Sequence, residues 1–265
     1  MNSEFGDSSR GAGRIHPKVS APRRDLLIAA AWDAPRSGWD FSRLEGRVHG
    51  AEPPWDYRAR AIRLAAAARR LLDVDTGGGE VLAGLARLPA GTHAVESWPP
   101  DIAVARERLT PLGVTVHDSL EACTAGAFDL VLNRHGRLEA GVLAALMAPG
   151  GVLLTQQVGS RNHLELNEAL GAPPPGPADA WTLDAAVAQL EAAGLRIVDA
   201  HEAMLPFRFL DIGAVVYQLR AIPWQVDDFD PDAYADRLRL LDERILAEGG
   251  FTARDHRFLI EAEKA

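Results

Sequence analysis

The run Leu71-Leu72-Asp73-Val74-Asp75-Thr76-Gly77-Gly78-Gly79-Glu80 joins a short apolar strand to three glycines and then, without a break, to a helix. Gly77, Gly78 and Gly79 have no Cβ and take positive φ without strain, so the backbone there can come up against a ligand. The helix is expected over residues 80–87, and its first N–H groups, which lack intrahelical partners, point at the same place. Two nucleotide-binding loops share this geometry, and the spacing argues against both. A dinucleotide fingerprint needs a third glycine where Leu82 stands, and a P-loop needs a lysine after its last glycine, where Glu80 stands.

Outward from this loop the chain keeps alternating between short strands and helices. Thr92, His93, Ala94 and Val95 form a second strand ending at Glu96, a carboxylate able to accept both O–H groups of a vicinal diol. A helix over residues 100–112 leads to a third strand over residues 114–117, with Asp118 at its end. Residues 128–132 are a continuous apolar run, expected of a strand buried on both faces, and they deliver Asn133, Arg134 and His135 to the same sheet edge. A helix over residues 138–147 stops at Pro149, Gly150 and Gly151. The next strand, residues 152–158, carries Gln156 and Gln157, whose amides must find partners. A helix over residues 185–193, a sixth strand over residues 195–205 and a last strand over residues 256–262 complete the pattern.

An acid-ended strand, a glycine loop, a second strand closing on an acid and a helix, Pro-Gly-Gly and strand succession together resemble the class I S-adenosylmethionine-dependent methyltransferases. The resemblance spans residues 55–262. It implies an α/β, Rossmann-like fold, with a seven-stranded, mostly parallel sheet, helices on both faces and an antiparallel last strand. It also implies S-adenosylmethionine as cofactor, held by Asp73, Gly77, Gly79, Glu96 at the ribose, Asp118 at the adenine, Asn133 and Tyr57. Asp75 departs from the pattern by standing where the family most often has its first glycine. Asp tolerates left-handed turns better than most residues, so the loop can still form and Asp75 joins the cofactor contacts.

Composition narrows the acceptor. The chain has 265 residues, 47% of them hydrophobic, enough for one large α/β core. Its formal charge of −9 disfavours binding along a nucleic-acid backbone, which relies on Lys and Arg. Arg58, Arg60, Arg63, Arg69 and Arg70 read as a solvated helix face. A single cysteine, Cys123, excludes an intrachain disulfide and fits a reducing cytoplasm. Residues 26–32 are too short an apolar run to cross a bilayer. No His, Cys and carboxylate spacing suggests a metal, and the Asp227, Asp228, Asp230, Asp232 cluster lacks the EF-hand pattern.

Residues 1–20 read as a disordered tail or expression scar. Residues 21–265 read as a single domain with an N-terminal helical cover at about 21–70 and a lid insertion at about 206–250. Trp32, Trp39, Trp55 and Tyr57 belong to the cover. The lid holds a helix capped by Asp211, a second helix carrying Tyr234, Leu238, Leu241 and Ile245, and the candidate substrate contacts Tyr217 and Trp224, to which Gln157 is added from the sheet edge. The resemblance implies methyl transfer to a small molecule by direct in-line displacement, with His135 as the candidate general base and Asn133 beside it. The alternatives are an RNA-base methyltransferase, a cofactor-binding module without catalysis, and a nicotinamide dehydrogenase.

Overall fold

Leu71, Leu72, Leu130, Val131, Leu132, Leu153 and Leu154 are at most 2% exposed, as strands covered on both faces require. The computed structural model describes residues 22–35 and 41–265, so the tail and Trp39 lie outside the described residues. Its strands are β1 (Val48–Gly50), β2 (Arg70–Val74), β3 (Gly91–Val95), β4 (Thr115–His117), β5 (Phe128–Arg134), β6 (Met147–Val158), β7 (Leu195–Phe209) and β8 (Phe251–Lys264). The helices are α1 (Arg23–Trp32), α2 (Tyr57–Ala67), α3 (Glu80–Ala83), α4 (Pro99–Leu109), α5 (Ala140–Leu146), α6 (Leu164–Leu170), α7 (Leu183–Ala192), α8 (Ile212–Ala221) and α9 (Ala235–Glu248).

All eight strands form one sheet in the order β1-β7-β8-β6-β5-β2-β3-β4. The pairs β4–β3, β3–β2, β2–β5 and β5–β6 are parallel, and β8 runs antiparallel between β6 and β7. This is the expected sheet with one strand added. The addition, β1, pairs antiparallel with residues 207–209 of β7 and covers the end of that edge strand.

Three boundaries differ from expectation for local reasons. α3 is a single turn, because Gly84 closes it and its N–H turns back to the carbonyls of Glu80 and Leu82. The Pro149-Gly150-Gly151 segment lies inside β6, where the register against β5 shifts. Residues 206–209 belong to β7 and not to an insertion. Phe207 and Phe209 continue the alternation of the strand and meet Ala253 and Phe251 of β8 across the ladder.

The antiparallel β7–β8 pair therefore runs on past the carboxyl end of β6, whose last residue, Val158, pairs with Arg257. Over this extension α1, α6, α8 and α9 build a cap with its own apolar interior, including Leu166, Phe209, Val215, Tyr217, Leu238 and Phe251. Asp211 caps α8 by accepting the Ala214 N–H at 2.9 Å, and its carboxylate is paired with Arg47. The N-terminal region is split in two. α1 packs on α8 of the cap, whereas Tyr57, Ala61 and Ala65 of α2 pack with Leu71, Leu82 and Leu109 against the sheet.

Candidate cofactor and acceptor site

The site grows from the end of β2. Asp73 is 7% exposed and accepts a hydrogen bond from the Thr76 hydroxyl at 2.6 Å. Asp75, Gly77 and Gly79 follow in the left-handed region with φ of 55°, 60° and 81°, which lets the chain reverse within a few residues. A Cβ on Gly79 would stand 2.8 Å from Leu109, so α4 presses directly on the loop. Gly77 donates its N–H to Glu96 Oε2 at 2.7 Å, and Trp98 donates its own to Oε1 at the same distance. Each oxygen of Glu96 keeps a further lone pair.

Asp75 turns its carboxylate toward the β5–α5 loop and accepts the Arg137 N–H at 2.8 Å. Gly136 allows this, since a Cβ there would lie 2.4 Å from Asp75 Oδ2. Asp73, Asp75 and Glu96 thus converge on one end of the sheet. Burial raises the pKa of all three, that of Asp73 to about 7, and the charges of Asp75 and Glu96 add to the effect on Asp73. Such an acidic cradle stabilises a cation placed in it and supplies acceptors to hydroxyls.

Two further groups face Asp73. The Tyr57 hydroxyl is buried with no hydrogen-bond partner among the described residues, and burial followed by the Asp73 charge raises its pKa. An unpaired buried hydroxyl is costly and points to a ligand that completes it. Arg134, exposed at the end of β5, lowers the pKa of both Tyr57 and Asp73 and has no ion-pair partner among the described residues. Asp118 is exposed at the end of β4, beside the strand that ends at Glu96.

The adjoining strand ends carry the second half of the site. Asn133 corrects an expectation. Its side chain is wholly buried, with Oδ1 accepting from Thr155 Oγ1 at 2.9 Å and Gln157 Nε2 at 2.6 Å, so it is committed to tying β5 to β6. His135 follows at φ 64°, with its Nε2 3.1 Å from the Gln156 amide nitrogen. The residue is exposed on one side, yet enclosure of the ring, then Arg134 and Arg257, lowers its pKa against the opposing pull of Asp255. A groove of about 410 Å³ opens here, lined by His135, Gly136, Arg137, Leu138, Gln157 and Trp181.

Gln157 borders this groove with its amide nitrogen committed to Asn133 and Thr155, and the two other candidate substrate contacts lie away from it. Tyr217 is 1% exposed inside the cap, on a helix whose residues 212–219 are all buried, and Trp224 is 53% exposed on the cap surface. His93 and His117 stack on each other with ring centroids 5.1 Å apart, beside Phe128 and away from the groove.

Sequence reasoning missed a polar cluster where the cap meets the sheet. His163, 1% exposed and at φ 54°, has Nε2 2.6 Å from Asp255 Oδ1, and Arg257 Nη2 lies 3.1 Å from Asp255 Oδ2. Four described non-glycine residues have positive φ; Asp75 and His135 directly follow β2 and β5, and His163 lies in the turn between β6 and α6. Backbone conformations of this kind gather where a structure serves a ligand. Among the described residues no three His, Cys, Asp or Glu side chains are grouped to hold a metal, and no helix is long and apolar enough to cross a membrane.

Neither a family model nor a curated protein sequence matches the chain. Solved structures do. A functionally unknown protein from Deinococcus radiodurans R1 superposes with a TM-score of 0.56 at 16% identity, over 85% of this chain and 99% of that one. YcgJ from Bacillus subtilis gives 0.54 at 16% identity, over 78% and 97%. BH2331 from Bacillus halodurans C-125, described as a candidate methyltransferase, gives 0.52 at 19% identity, over 78% and 98%. The chain thus shares the α/β, Rossmann-like class I methyltransferase fold.

Proposed function

We propose that the protein binds S-adenosylmethionine across the Gly77–Gly79 bend and transfers its methyl group to a small molecule held beneath the cap. The observation that carries this reading is the convergence of Asp73, Asp75 and Glu96 on a Cβ-free bend, with the orphaned Tyr57 hydroxyl beside it. A cationic amino acid nucleoside fits these groups. The acids take its ammonium and sulfonium charges and its ribose hydroxyls, and Arg134 and Tyr57 take its carboxylate.

When bound, the sulfonium supplies an electrophilic methyl group. The chain's own task is alignment and exclusion of water. Asp75 is fixed by the Arg137 N–H, so the loop and the acceptor side of the site are tied together. The cap above the β7–β8 extension serves as a lid over the strand ends. The charge of −9 favours a small acceptor over RNA.

The test supplies purified protein with methyl-labelled cofactor and either a fractionated small-molecule extract or total RNA. Label is expected in a small-molecule fraction. Label in RNA alone would replace the acceptor class, and cofactor binding with no transfer to either would make the protein a binding module.

A further inference from the structure

Gln156 lies at the end of β6 between two ring systems. Its Oε1 accepts from the Trp55 indole N–H at 2.8 Å, and its Nε2 lies 3.1 Å from His135 Nε2. Trp55 is held in place, since it immediately precedes Asp56, the N-cap of α2, and stacks on His201 with centroids 6.0 Å apart and planes 23° apart.

An indole nitrogen can only donate. The atom of Gln156 facing Trp55 must therefore be the carbonyl oxygen, and the atom facing His135 must be the amide N–H₂. That N–H₂ can only donate, so His135 Nε2 must offer a lone pair. A neutral imidazole with its lone pair at Nε2 carries its proton at Nδ1. Among the described residues Nδ1 has no hydrogen-bond partner, and the exposed His135 lines the groove.

We propose that Trp55 and Gln156 lock His135 as the neutral Nδ1–H tautomer, so that it donates a hydrogen bond into the groove and takes no proton there. Trp55 and Gln156 are positioning residues acting through His135. This reverses the general-base role expected of His135 from sequence. A base needs a free lone pair, and the one available is already capped. The enclosure and the Arg134 and Arg257 cations, which oppose a charged ring, act in the same direction. Orientation of the methyl acceptor by this donor rests on the function proposed above, and it requires a lone-pair atom on the acceptor beside His135. The tautomer itself does not rest on that function and is read without any ligand.

The experiment is a long-range ¹H–¹⁵N correlation spectrum of the ligand-free, ¹⁵N-labelled full chain at pH 7, with the His135 signals assigned by their loss in His135→Asn. Nε2, the nitrogen correlated with both ring carbon protons, is expected to show the pyridine-type shift and Nδ1 the pyrrole-type shift. A pyrrole-type Nε2, or a protonated ring, overturns the lock. In Gln156→Glu the carboxylate can only accept, so the two shifts are expected to exchange. An unchanged pattern in that folded variant also overturns it. Trp55→Phe, which frees the amide to rotate, is expected to give averaged shifts, and retention of the parent pattern contradicts the part assigned to Trp55.

Discussion

Asp73→Asn is expected to stabilise the protein at pH 8 and to leave its stability almost unchanged at pH 4. Asp73 lies at the end of the central strand β2, and burial lifts its carboxyl from about 3.8 to about 7 in the folded state. The unfolded chain titrates it near the ordinary value. Between these limits the folded protein holds a proton that the unfolded chain has released. Stability therefore falls as pH rises through the window from about 4 to 7, and the loss persists above it. Asparagine carries no such proton, and its Oδ1 can still accept from Thr76.

The stability of the variant relative to the parent should grow with pH to roughly 3–4 kcal/mol at pH 8. The other titrating groups are common to both proteins, so the difference reports Asp73 together with its coupling to Tyr57, Asp75 and Glu96. Urea unfolding at several pH values measures it, and a difference that does not vary with pH would contradict the assignment. The same substitution should weaken cofactor binding, because the destabilising carboxylate is the one that meets the cation in the proposed complex.

Gly159→Ala should be among the most damaging single methyl additions in the chain. A Cβ at Gly159 would stand 2.0–2.6 Å from three atoms of the His256 ring. His256 is wholly buried, its Nδ1 accepting the Arg161 N–H at 3.2 Å and its Nε2 2.8 Å from Glu202 Oε1. Gly159 also donates its N–H to the His256 carbonyl at 3.0 Å, so neither partner can retreat without breaking a bond. Overpacking and a lost buried hydrogen bond together cost about 3–4 kcal/mol. For a chain of this size that corresponds to a fall in Tm of roughly 6–15 °C. In a His256→Ala background the same methyl should cost almost nothing, because the obstructing ring is gone. An equal loss in both backgrounds would show that the contact is not its cause.

Much of the fold was legible because its signals are local. The strand-loop-helix unit at residues 71–80, the apolar runs of β5 and β6 and the Asp211 cap are each written within a few neighbouring residues. The left-handed turn at Asp75 followed from the tolerance of Asp for that conformation. Features set by long-range pairing were not legible. β1 is three residues long and its partner lies at residues 207–209, so nothing near it in sequence marks it as a strand. The extension of β7 was hidden because Phe207 and Phe209 read equally well as the start of a lid.

The site was divided in the same way. Asp73, Gly77, Glu96 and Gln157 could be placed by the strand ends that carry them. Gln156 was recognisable as an amide needing partners, but the two it finds, Trp55 and His135, come from different parts of the chain. Tyr217 was misplaced because α8 is buried on every side, while the apolar stripe of Ile212, Val215, Val216 and Leu219 marks only one of its covered faces. His163, Asp255 and Arg257 meet only when β8 returns beside β6, which no spacing announces.

Calorimetric titration of the ligand-free protein with S-adenosylhomocysteine tests the central claim most directly. The parent protein is expected to bind in the micromolar range, and Glu96→Gln to bind roughly 10- to 100-fold more weakly through loss of a charge-assisted contact to the ribose. A folded parent that releases no heat with this ligand, or a Glu96→Gln variant that binds it as well as the parent, would contradict the account.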